Sequence, residues 1–135
     1  MNDKIEITLY KLIQKAIKND EVPVGAIIIN KDNKIIAKAY NKVNKTNNIL
    51  NHAEIICINK ASKKAKNWRL NNCTMYVTLE PCSMCKEIIK KSRLNKVIYY
   101  SKQNEYLTEN NPTFIYKENK LFSEKLKNFF KSKRK

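Results

Sequence analysis

His52, Glu54, Cys82 and Cys85 form one pattern: His-Ala-Glu, then 26 residues, then Pro-Cys-Ser-Met-Cys. It constrains the fold because two thiolates and one imidazole suit a single zinc ion, whose ligands all lie within about 2.0–2.3 Å of the metal. Both halves of the pattern therefore have to meet. Structural zinc sites usually close the shell with four Cys or His ligands, whereas catalytic sites leave one position for water. The only histidine of the chain is spent at the first position, so no second one can complete a Cys2His2 site.

The chemistry explains the spacing. A zinc ion in such a donor set lowers the pKa of a bound water from about 15.7 towards 7. Glu54 is not needed as a ligand. Two residues past His52 and close to a helix start, it can take a proton from that water and pass it to a ring nitrogen and to departing ammonia. Pro81 reads as the first residue of the second helix, where its missing N–H costs nothing. Cys82 and Cys85 then fall three apart on one helix face, near the positive end of the dipole that favours thiolates. A lone Cys-x-x-Cys is equally a redox pair or half a zinc ribbon, and a lone His a core residue. Combined with Glu54 and Pro81, they match the signature of zinc-dependent nucleobase deaminases.

A chain of 135 residues is read as one domain, 1–135, long enough for a core without disulfide staples. Of its four cysteines, two belong to the metal pattern, while Cys57 and Cys73 lie in apolar or strand-like surroundings that suit buried free thiols. A reducing cytoplasm is expected. The N-terminus has no apolar signal core, and no run approaches 18 apolar residues, so neither export nor membrane spanning is expected. With 28 Lys and Arg against 12 Asp and Glu, the net charge is +16, which attracts nucleic acid. The abundance of Lys, Asn and Ile beside a single Gly also has the profile of an A+T-rich genome, so the location of the charge matters more than its sum. Lys125, Lys127, Lys131, Lys133, Arg134 and Lys135 surround Phe129 and Phe130, joining cations for phosphate to rings that can stack on bases. The same Phe pair could instead dock on a core.

Periodicity places an amphipathic helix over residues 3–19, ended by Asp20 and Glu21. Val24 to Ile29 is a continuous apolar run and so a buried strand, paired through a turn at 30–33 with Lys34 to Tyr40. Residues 41–51 read as a loop. A helix from about His52 to Lys66 carries Ile55, Ile56, Ile58 and Asn59; Thr74 to Leu79 is a third strand leading into Pro81. A helix from Cys82 to Ser92 buries Ile88 and Ile89, Lys96 to Tyr100 is a fourth strand, and Thr113 to Tyr116 a short fifth. A basic terminal helix occupies about 121–135, with Leu121 to Phe130 as its core. Strands alternating with helices after a hairpin predict an α/β layer fold with a mixed sheet, its ligands collected at strand ends.

Glu21-Val22-Pro23-Val24-Gly25-Ala26, Asn41, His52-Ala53-Glu54-Ile55, Trp68-Arg69-Leu70, Tyr76 to Cys82 and Ser92-Arg93 together resemble the bacterial tRNA-specific adenosine deaminases of the cytidine deaminase-like superfamily. That resemblance implies a three-layer α/β/α sandwich with a mixed, about five-stranded sheet, acting as a homodimer with one Zn2+ per subunit. It implies hydrolytic conversion of the wobble adenosine of an arginine tRNA anticodon to inosine. His52, Cys82 and Cys85 would hold the metal and Glu54 would carry protons. Asn41 would hydrogen-bond the purine, Val24 would line its pocket, and the backbone N–H of Ala53 would help orient the base. Phe129, Phe130, Lys131, Lys133 and Arg134 would lie against the anticodon stem-loop. Two other readings stay open: a free-base or nucleotide deaminase acting on guanine or a cytosine derivative, and a noncatalytic, zinc-stabilised RNA-binding subunit.

Overall fold

A computed structural model describes residues 3–102 and 113–133. The chain divides into two compact units, Met1–Asn104 and Glu105–Lys135. In the first, the order is α1 (Lys4–Lys18), β1 (Gly25–Ile29), β2 (Ile35–Tyr40), α2 (Val43–Thr46), α3 (Ala53–Ala65), β3 (Thr74–Val77), α4 (Ser83–Lys91) and β4 (Lys96–Tyr99). The second holds α5 (Lys120–Lys133).

The sheet runs β2-β1-β3-β4. β1 is antiparallel to both neighbours, while β3 and β4 are parallel and joined through α4. Being central, β1 is buried along its whole length, as its uninterrupted Ile27-Ile28-Ile29 run requires. Its side chains alternate between two cores. Ala26 and Ile28 face a cluster with Ala53, Cys57 and Ala61 of α3, Ile89 of α4, and Met75 and Val77 of β3. Ile27 and Ile29 face Leu9 and Leu12 of α1, with Tyr76 and Tyr40 beside them. Helices thus cover both faces, giving the expected α/β/α layering. Each fully buried Ile of β1 contributes about 1.5–3 kcal/mol by leaving water.

Gly25 is the one glycine, and a close approach requires it: a Cβ there would stand 2.9 Å from the Cβ of Leu12. Left-handed turns fall instead to Asp20, Asn33, Asn47, Lys66, Asn72 and Arg93. Asn and Asp tolerate that region through local hydrogen bonds.

Five expectations are corrected. Thr113 to Tyr116 forms no strand, so among the described residues the sheet has four strands rather than about five. The 41–51 segment contains the short helix α2, whose cap comes from elsewhere in the chain. Pro81 precedes the N-cap Cys82 and is not the first helical residue. In α3 the buried set is Ala53, Glu54, Cys57, Ile58 and Ala61, because the small residues face the sheet, leaving Ile55 and Ile56 half-buried and Asn59 exposed. In α4 Ile89 is buried, but Ile88 is only half-buried against the same core cluster.

Candidate active site

Two helix starts meet at the sheet's end. His52 is the N-cap of α3 and Cys82 the N-cap of α4, both with extended backbone and neither with its side chain capping its own helix. Their side chains turn towards each other instead. Glu54 is then the second residue of α3, and Cys85 the third of α4. This explains why residues two apart can share a site: His52 stands before the helical spiral, so the usual angular divergence does not apply to it.

The approach to Cys82 is fixed by the strand before it. Thr78 exchanges bonds with Gly25, its N–H donating to the Gly25 carbonyl at 3.1 Å and its Oγ1 accepting the Gly25 N–H at 3.1 Å. The Glu80 N–H donates to the Ser101 carbonyl at 2.7 Å, and Lys86 pairs with the Glu80 carboxylate at 2.9 Å. On the other side, the Asn41 N–H donates to the Val24 carbonyl at 3.1 Å. The buried Asn41 Oδ1 accepts the N–H of Ala53, the first residue of α3, at 2.9 Å. Asn41 therefore supplies the cap that His52 gives up.

His52 Nδ1 lies 3.5 Å from Cys85 Sγ and 3.8 Å from Cys82 Sγ, and the ligand atoms of all three residues fall within 4.8 Å of one another. A tetrahedral zinc with bonds of about 2.0–2.1 Å to nitrogen and 2.3 Å to sulfur has edges of about 3.5–3.8 Å. The residues fit the ion. Burial lowers the His52 pKa, keeping the imidazole neutral and able to ligate. Burial pushes the Cys85 thiol up, and the neighbouring Glu54 carboxylate and Cys82 push the same way. A divalent cation relieves this, since it stabilises thiolates that the protein alone disfavours.

Glu54 is 4% exposed and stands outside the group formed by His52, Cys82 and Cys85. Burial raises its pKa, while its own backbone N–H and Cys85 hydrogen-bond it and pull the other way. A buried carboxyl group next to the three candidate ligands is placed where it could accept and donate a proton. Cys57 and Cys73, the remaining thiols, are free and buried as expected.

Comparison with known proteins places this site in a family. The model of the MafB19-like deaminases matches residues 2–134. The tRNA-specific adenosine deaminase of Rickettsia bellii (strain RML369-C) is 43% identical over 97 residues, which are 71% of this chain and 67% of that protein. The chain belongs to the tRNA-specific adenosine deaminase family. The chain is also 46% identical over 86 residues to the chloroplastic tRNA(adenine(34)) deaminase of Arabidopsis thaliana; the match covers 64% of this chain but 6% of that much longer protein. A structure solved in work on A-to-I editing by tRNA:A34 deaminases at the wobble position of transfer RNA superposes with a TM-score of 0.69 at 34% identity, covering 73% of this chain and 75% of that one. The guanine deaminase of Bacillus subtilis superposes with a TM-score of 0.67 at 33% identity, covering 76% and 66%.

Of the other residues singled out in the sequence, Val24 is buried in the core cluster one residue before β1, and the Ala53 N–H is engaged by Asn41. In the second unit, Phe129 and Phe130 meet edge to face with centroids 5.4 Å apart, and Lys133 Nζ lies 5.6 Å over the Phe129 ring. Lys131 and Lys133 fall in the last turn of α5; Arg134 lies outside the described residues, as do residues 103–112. The Asn41–Ala53 bond has no local sequence signal beyond the placement of Asn41 ahead of a helix start.

Proposed function

We propose that this chain deaminates adenosine in tRNA, acting on the wobble adenosine of an arginine tRNA anticodon to give inosine and ammonia. The observation that carries the reading is the convergence of His52, Cys82 and Cys85 beside a buried carboxyl group that stands outside their group. Zinc, held by those three residues, would supply water activation at neutral pH. Glu54 takes a proton from the attacking water and delivers it to the purine ring nitrogen next to the reacting carbon; it then takes the second proton from the hydroxyl added at C6 and gives it to the departing amine as the C6 carbonyl forms. Water enters at C6 and the exocyclic nitrogen leaves from it, so adenosine and water balance inosine and ammonia.

Asn41 positions the base. Its carbonyl oxygen is held by the Ala53 N–H, which orients its amide NH2 as a donor to the purine. Val24 supplies an apolar wall. Phe129, Phe130, Lys131, Lys133 and Arg134 serve RNA binding, by stacking and phosphate contact, and the net charge of +16 steers the polyanion. Both units belong to one deaminase domain in this reading, supported by a family match that runs through both. The enzyme works in the cytoplasm as a homodimer; no helix among the described residues is long and apolar enough to cross a membrane.

The likeness to a guanine deaminase favours a second reading, deamination of a free purine base. A noncatalytic RNA-binding role leaves Glu54 without a purpose. The deciding experiment removes metal with a chelator and restores one zinc per chain while following inosine formation in a minimal anticodon stem-loop. Loss and recovery of activity support the reading. Equal activity of metal-free and reconstituted protein, or activity on guanine alone, contradicts it.

A further inference from the structure

Glu21 lies two residues past the C-cap of α1, Asn19, yet its side chain works 23 and 24 residues further along. The residue is 5% exposed. Its Oε1 accepts the N–H of Asn44 at 3.0 Å and its Oε2 the N–H of Lys45 at 2.7 Å. These are the second and third residues of α2, whose own N-cap Lys42 offers no side-chain bond. The Asp20 carbonyl accepts the Asn44 amide at 2.9 Å, and the Glu21 N–H donates to the Ala16 carbonyl at 2.9 Å. One carboxylate therefore locks the end of α1 to the start of α2.

From α2 the lock passes to the site. The Asn48 N–H donates to the Val43 carbonyl at 3.2 Å and the Lys42 N–H to the Asn51 carbonyl at 2.9 Å. Asn51 Nδ2 donates to Thr46 Oγ1 at 2.8 Å. Asn51 immediately precedes His52, and Lys42 immediately follows Asn41. A loop running from residue 41 to 52 thus has its base-facing and metal-facing ends closed on each other, with its middle tied to Glu21.

We infer that Glu21 is a positioning residue: through α2 it sets where Asn41 and His52 stand relative to Cys82 and Cys85. The inference rests on the reading of the site as a metal-dependent deaminase centre. A carboxylate is needed because two backbone N–H groups converge on it. Glutamine offers one acceptor and turns a donor against the other N–H, whereas aspartate keeps both acceptors on a shorter stem.

The test compares wild type, Glu21→Gln, Glu21→Asp and a Leu9→Val control in the α1 core chosen for a similar loss in melting temperature. Three measurements are made: visible bands of the cobalt-substituted protein, amide exchange at Asn44 and Lys45, and kcat and KM on the anticodon stem-loop. Glu21→Gln should shift the cobalt bands, speed exchange at both amides and lower kcat/KM at least tenfold with metal content retained; Glu21→Asp should recover part of each, and Leu9→Val should leave all three unchanged. If Glu21→Gln does not fold, the intermediate behaviour of Glu21→Asp decides. Cobalt bands and kcat/KM equal to wild type in the folded variants overturn the inference. A wild-type protein inactive on the stem-loop would overturn the proposed function instead, while bands and exchange still decide the role of Glu21.

Discussion

Asn41 Oδ1 accepts the backbone N–H of Ala53 at 2.9 Å in a buried setting, joining the end of β2 to the residue between the candidate ligand His52 and the candidate proton carrier Glu54. Asn41→Ala strands a buried donor, which costs about 1–3 kcal/mol. Asn41→Asp keeps the acceptor but removes the donor proposed to meet the base. In thermal unfolding the Asp variant should stay closer to wild type than the Ala variant. On a stem-loop substrate both should be strongly impaired.

Gly25 lies where α1 crosses the sheet, and the 2.9 Å separation between its missing Cβ and the Leu12 Cβ leaves no room for a methyl group. The obstacle is the stem of a buried side chain, not a flexible tip, so α1 has to shift. Gly25→Ala should destabilise the fold by about 1–3 kcal/mol. Chemical denaturation would measure it, with metal content unchanged in the folded fraction.

Burial pushes the Cys57 thiol up from 9.0 to about 12, with Glu54 adding to the rise and Lys60 and the Ile28 backbone opposing it. The folded value lies above the unfolded one, so this thiol contributes stability that is complete below about pH 9 and is lost as pH rises towards 12. Melting temperature should fall over that window, and the fall should be shallower in Cys57→Ala. The native thiol should also resist alkylation at pH 7 until the protein unfolds.

Removing residues 126–135 deletes the Phe129–Phe130 pair and the cations beside it. If those residues grip RNA, stem-loop deamination should drop at least tenfold, mainly through KM, and its salt dependence should flatten. A free-base deaminase would be indifferent to the deletion.

The metal-site residues were legible in the sequence because coordination chemistry fixes residue type and local spacing together; His52, Glu54, Cys82 and Cys85 announce themselves in two short segments. The Val24 to Ile29 run was legible as a buried strand and the alternation of strands with helices as an α/β layer fold, while the three layers came from the family resemblance. What escaped were features created by contacts between distant segments. α2 has only four residues and no periodicity, and its cap, Glu21, lies more than 20 positions upstream. Pro81 suggested a first helical turn, but the strand's exit and the demands on Cys82 moved the cap one residue past it. Thr113 to Tyr116 has β-rich composition, and propensity without a partner strand does not make a sheet.

The central claim is that Glu54 moves protons at a centre held by His52, Cys82 and Cys85. A minimal arginine tRNA anticodon stem-loop, incubated with metal-loaded wild type and with metal-loaded Glu54→Gln and then sequenced for A-to-G changes, tests it most directly. Wild type should convert the wobble adenosine, and Glu54→Gln should bind metal equally while losing about 10²-fold or more in rate. Conversion by Glu54→Gln at the wild-type rate, or no conversion by a fully loaded wild type, would contradict it.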